Sequence, residues 1–167
     1  VTNTRESRIA KIKLVEEALE IHLERLDDDT EQKTAFRSRG HTVHPDLSDA
    51  LQALQPHVRD ILCLPADWCA NAFDIRSISF SKSEKTGVEG AVVSCSVDLT
   101  TCNSPFFFNT PYLPIQRHTD EGVTLELSQE AIDALEKLKS EAHAYLDGKR
   151  AQRDLFDDAE EFAEAAA

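Results

Sequence analysis

The chain has 167 residues, enough for one domain with a real core and short for two. Hydrophobic residues make up 41% and aromatic residues 7%, which places it with soluble globular proteins and not with disordered ones. Its formal net charge of −13 argues against a general binder of duplex DNA, whose affinity comes largely from Lys and Arg neutralising phosphates. That charge leaves a basic protein partner, a DNA mimic or plain solubility.

In chain order, residues 5–26 are predicted to form an amphipathic helix. Ile12, Val15, Leu19, Leu23 and Leu26 recur at three- and four-residue steps among Glu16, Glu17, Glu20 and Glu24. Residues 27–44 are polar and are expected to be an exposed loop carrying His41 and His44, whose flanking Gly40 and Pro45 argue against a helical metal pair. A second helix is predicted over 45–62, with Pro45 in its first turn and Leu47, Leu51, Leu54, Val58 and Ile61 on one face. Pro56 removes a donor and predicts a kink or two short helices meeting there. Trp68 follows in a turn and is expected to act as a lid on the core.

The centre reads as β. Ile75, Ile78 and Phe80 lie in a β-branched and aromatic run whose alternation slips once, which suits a bulge. A polar turn over 83–90 leads into Ala91, Val93, Cys95, Val97 and Leu99, which alternate as a half-buried strand does, so a hairpin is expected. Phe106, Phe107 and Phe108 predict a short strand with little exposure on either face, and residues 123–127 a fourth strand. Ser128 is a good N-cap for a last helix reaching about Asp147, stopped by Gly148. The expected architecture is α+β, a small antiparallel sheet of about four strands flanked by three main helices. It divides into 1–44, a body over 45–147, and an acidic tail over 148–167.

Cys63, Cys69, Cys95 and Cys102 lack the close pairing of a zinc ribbon and are expected to be buried free thiols, so no metal or cofactor is predicted. No apolar run approaches a membrane span and no leader pattern opens the sequence, so a cytoplasmic setting is expected. No Gly-rich phosphate loop, Gly-x-Ser-x-Gly or His-Glu-x-x-His is present, and nucleophile, base and orienter do not assemble into a catalytic site.

The tail changes character, turning acidic and short of core formers, and is expected to be mobile. Within it, Gln152-Arg153-Asp154-Leu155-Phe156 resembles the pentapeptide by which bacterial DNA polymerases and mismatch-repair proteins hold the β sliding clamp. The resemblance implies that Leu155 and Phe156 fill a hydrophobic clamp pocket, Gln152 fixes register, and Asp154 takes the small or acidic third position. Arg153 stands where Leu is more typical, which weakens the fit. Micromolar affinity is expected. The run Ile78 to Ser81, then Gly90 to Val93, Ser104-Pro105 and Asn109-Thr110-Pro111 looks like a family of small uncharacterised bacteriophage proteins, which implies a viral origin but lends no activity.

Three functions follow in order. The first is a non-enzymatic phage-type accessory protein docked on the host clamp through Gln152, Asp154, Leu155 and Phe156. The second is an acidic decoy or DNA mimic that binds a basic host nuclease or defence protein. The third is a single-stranded nucleic-acid module that stacks bases on Phe106, Phe107, Phe108 and Tyr112. Oligomeric state is not legible.

Overall fold

Residues 7–27 carry two runs set against charged neighbours, Ile9, Ile12 and Leu14, whose alternation slips once at a register shift between Ile9 and Lys11, and then Leu19, Ile21 and Leu23. Such alternation buries one face of a strand and solvates the other. In the structure, a computed structural model, these residues form a hairpin and not the expected helix. The structure describes residues 7–16, 18–27, 30–38, 43–65, 73–83, 87–99, 104–119 and 122–150. Strand β1 (Ser7–Val15) pairs antiparallel with β2 (Ala18–Asp27), with Ile12 opposite Ile21 and Val15 opposite Ala18. The turn between them begins at Glu16, whose φ of 56° is left-handed. A third strand, β3 (Thr30–Arg37), replaces the expected exposed loop and pairs with β2 through Phe36 opposite Ile21. Its polar, charged sequence is what an edge strand needs to discourage pairing with another chain.

The middle of the chain follows the expectation closely. Helices α1 (Pro45–Gln52) and α2 (Gln55–Ile61) meet at Ala53–Leu54, immediately before Pro56. His44 caps α1, its Nδ1 accepting from the Asp46 amide at 3.2 Å. Strands β4 (Asp74–Lys82) and β5 (Glu89–Asp98) form the expected hairpin, with Ile78 opposite Val93 and a register shift between Ile75 and Ser77 where the alternation slips. Next come β6 (Pro105–Asn109) and the short β7 (Leu113–Pro114), both paired to β5. A separate two-stranded sheet holds β8 (Gln116–Thr119) and β9 (Gly122–Leu125). Helix α3 (Gln129–Leu146) is capped by Ser128, whose Oγ accepts from the Ala131 amide, and ends before Gly148 at φ 110°. No helix among the described residues is long and apolar enough to cross a membrane.

The protein is therefore α+β, as expected, but with more strands and fewer long helices. The main sheet runs β3-β2-β1-β4-β5-β6, with β7 beside β5. Its core face carries Ile21, Ile12, Ile78 and Val93 in one row, all buried. Leu47, Leu51 and Val58 from α1 and α2, Leu54 from the junction between them, and Leu135, Leu138, Ala142 and Tyr145 from α3 cover that row. The helices are fastened to β4 by two amides. Gln52 donates Nε2 to the Ile75 carbonyl and accepts the Ile75 amide, both at 3.0 Å, and Gln55 donates to the Phe73 carbonyl at 2.6 Å. These bonds satisfy strand backbone beside the bulge, where the ladder is interrupted.

A two-residue hairpin turn with left-handed φ favours Asn or Gly over Glu, because a Cβ crowds the backbone there. Glu16→Asn is expected to raise unfolding stability by about 0.5–1 kcal/mol, read from denaturant midpoints. A lowered midpoint would contradict the turn geometry.

Candidate functional site

Strand parity decides what the sheet shows to solvent. On the face opposite the core row, Lys13, Ser77, Ser94 and Asn109 align across β1, β4, β5 and β6, and Lys11, Ser79 and Val92 form the next row. The described helices pack on the other side, so no described helix covers this face, on which the small Ser77 and Ser96 are nonetheless buried among their neighbours. Among the described side chains, its cations Arg8, Lys11, Lys13, Lys33, Arg37 and Arg76 outnumber its carboxylates Glu20, Glu24, Asp74 and Asp98. Some are paired across strands, Arg8 with Glu24 at 2.5 Å and Glu20 with Arg37 at 3.3 Å, and Glu20 also meets His22 of its own strand at 2.6 Å. The hydrogen bond from His22, with Arg37 alongside, holds the Glu20 carboxyl below the usual glutamate range.

The aromatic residues of β6 divide between the two faces. Phe106 and Phe108 share the core side, their rings stacked with centroids 6.3 Å apart, and Phe108 meets buried Phe73 edge-on at 5.5 Å. Phe107 lies opposite Ser96 on the open side, with the Arg76 guanidinium 5.8 Å from its ring centroid. The expectation that all three Phe would be sheltered fails for two of them, since Phe106 is 55% and Phe107 60% exposed. β6 is an edge strand, so neither ring has a further strand beside it. Tyr112 turns its ring onto Gly90, where a Cβ would overlap it, and donates its hydroxyl to the Val88 carbonyl at 3.0 Å. That ring fills the gap left by a side-chain-less strand position and covers the open face near β7. Of the four proposed stacking residues, Phe107 and Tyr112 thus share the open face, and Phe106 and Phe108 do not join them. Arg76 escaped the sequence reading, though the alternation slip at 75–78 marked its position.

The other candidates separate. Cys95 is buried, and desolvation pushes its thiol up to about 12, which makes it inert. Cys63 is exposed, contrary to expectation, and sits at φ 51° after α2. Cys69, Cys102, His41 and Trp68 lie outside the described residues, as do Gln152, Asp154, Leu155 and Phe156. Among the described residues, no group of three His, Cys, Asp or Glu could hold a metal ion. His57 borders an apolar void of about 20 Å³ with Leu54, Ala91 and Leu135, room for about one water and no ligand.

The segment that leads to the tail is fastened at its start. Lys149 donates to Asp46 at 2.5 Å and to Glu141 at 2.7 Å, and Arg150 lies 3.6 Å over the Tyr145 ring while donating to the Tyr145 carbonyl. These contacts tie the end of α3 to the first turn of α1. The arrangement defines an α+β protein with a one-sided antiparallel sheet, a cation-bearing open face and an aromatic edge. No family model, curated protein or solved structure matches the chain.

The Lys149 hydrogen bond is the largest influence holding the Asp46 carboxyl below the ordinary aspartate range, and Asp46 then Glu141 hold the Lys149 ammonium above its own. Asp46 therefore contributes stability at neutral pH that is lost as pH falls through its lowered folded value. Lys149's contribution persists until strongly alkaline pH. Asp46 is exposed and Lys149 half-buried, so salt screens the effect. In a carbon-detected NMR titration, Asp46 is expected to titrate below ordinary aspartate and to move up toward it in Lys149→Met. An unmoved midpoint would show that the pair does not form in solution.

Proposed function

We propose that the protein is a non-enzymatic, phage-type accessory protein that docks on a bacterial β sliding clamp through Gln152, Asp154, Leu155 and Phe156. The observation that carries the reading is the match of Gln152-Arg153-Asp154-Leu155-Phe156 to the clamp-binding pentapeptide. The fastening of Lys149 and Arg150 to the body supports it, because the motif then begins two residues beyond the last anchored side chain and leaves from a fixed point beside α1. Adjacent Leu155 and Phe156 in an otherwise acidic stretch are the kind of apolar anchors that dominate short-peptide binding. Docking would bring the α+β body to the replication fork or deny the clamp to host proteins.

The full-length protein is expected to bind purified clamp with micromolar affinity, about −8 kcal/mol, by calorimetry. Leu155→Ala with Phe156→Ala is expected to abolish that binding. Binding that survives the double substitution would sink the reading.

A second reading rests on the open face. Phe107 of β6 beneath Arg76 of β4, with Lys11 and Lys13 on β1 beyond it, supports stacking of single-stranded nucleic acid on the sheet. It is compatible with the first, since a clamp-docked protein works where single strands are exposed. Labelled oligothymidylate is expected to raise fluorescence anisotropy at low salt, and Phe107→Ala to weaken binding by about 1–3 kcal/mol per stacked base. No anisotropy change at low salt would remove this reading.

A further inference from the structure

Away from the tail, and at the rim of the open face where Arg8 and Glu24 stand, a cleft of about 510 Å³ lies where the start of β1, the end of β4 and the second half of α3 converge. Lys82 and Glu89, opposite one another on β4 and β5, line one side, and Lys139 and His143 reach in from α3. Arg8 and Glu24 complete the charged lining, so three permanent cations and one imidazole face two carboxylates in a chain whose net charge is −13.

The pairing inside the cleft is incomplete. Arg8 gives Nε and Nη2 to Glu24, and its Nη1 is buried with no hydrogen-bond partner. Lys139 divides itself between Glu89 at 3.5 Å and Glu136 at 3.2 Å. Lys82 and His143 have no partner among the described residues. A guanidinium nitrogen without an acceptor costs free energy, and because Arg8 Nη1 has almost no accessible surface the guanidinium must turn to meet a ligand, whereas Lys82 and His143 are exposed to it. The donors come from β1, β4 and α3, three directions around one space, which suits a tetrahedral anion with several acceptor oxygens better than a planar carboxylate. Pockets of this size take small metabolites.

We propose that this cleft is a binding site for a phosphate-class anion, held by Arg8, Lys82, Lys139 and His143. Glu24 and Glu89 orient the arginine and lysine and limit the charge the site accepts.

The test follows backbone amide shifts of the full-length protein titrated with inorganic phosphate and, separately, with adenosine 5′-monophosphate. The expected result is saturable shifts around residues 8, 82, 139 and 143 in the millimolar range or tighter. Lys82→Ala with His143→Ala should weaken binding at least tenfold, and Lys149→Ala, outside the cleft, should leave it unchanged. Both substituted cleft residues are exposed, so the fold should tolerate their loss. Tighter binding of the nucleotide would identify the ligand as a phosphate monoester, and equal binding as free phosphate. Shifts that never saturate, that spread over unrelated lysines, or that persist in the double variant would overturn the assignment.

Discussion

One constraint governs the molecule: a wide sheet with a single apolar face must find cover for it. The row Ile21, Ile12, Ile78 and Val93 is fully buried only because α1, α2 and α3 lie across it. Burying such side chains yields roughly 1.5–3 kcal/mol each, so the helices and the sheet stabilise one another and neither layer stands alone. The cover has limits. Phe36, next in the row on β3, is 46% exposed, which marks where the helical layer stops. At the other end, Thr110 takes over as a polar terminus, its Oγ1 accepting the Val93 amide at 3.0 Å and its own amide bonding the Val93 carbonyl. The sheet thus ends in satisfied backbone on the side where β6 departs.

The same asymmetry explains why charge misleads when summed over the chain. A net charge of −13 is an average, whereas binding is local. Glu130, Asp133, Glu136 and Glu141 belong to α3, and Asp157, Asp158, Glu160, Glu161 and Glu164 to the tail sequence. The open face, built from alternate residues of β1 to β6, keeps Lys11, Lys13 and Arg76 in neighbouring positions. An acidic protein can therefore present a cationic surface, and only the strand register reveals it.

Much of the body was legible in the sequence. Pro56 split its helix, Ser128 and Gly148 bounded α3, and the slip near Ile75 became a bulge, because each is a local backbone requirement that a single residue type announces. The N-terminal hairpin was not legible, for a specific reason. β2 alternates correctly, but β1 slips once between Ile9 and Lys11, and the turn begins at Glu16 where Asn or Gly is the usual signal, so the joined runs give spacings that mimic a helix. β3 has one large apolar residue, Phe36, and edge strands need no more. The Phe run was read as core because hydrophobicity says nothing about which strand lies at an edge. Tertiary order alone sets that, and it turned Phe107 outward beneath Arg76.

The seam between β1 and β4 has a consequence in time. On one side stands the three-stranded meander β1-β2-β3, on the other the hairpin β4-β5 with β6, and each joins strands close together in sequence. Among the strand pairings, only that of Lys11, Ile12 and Lys13 with Ser79, Ile78 and Ser77 unites them, and it spans α1 and α2. Closing so long a loop is entropically slow, whereas local hairpins form in microseconds. The two halves are therefore expected to be assembled separately and docked last along that short seam, with the Gln52 and Gln55 amides at β4 positioning the intervening helices for the encounter.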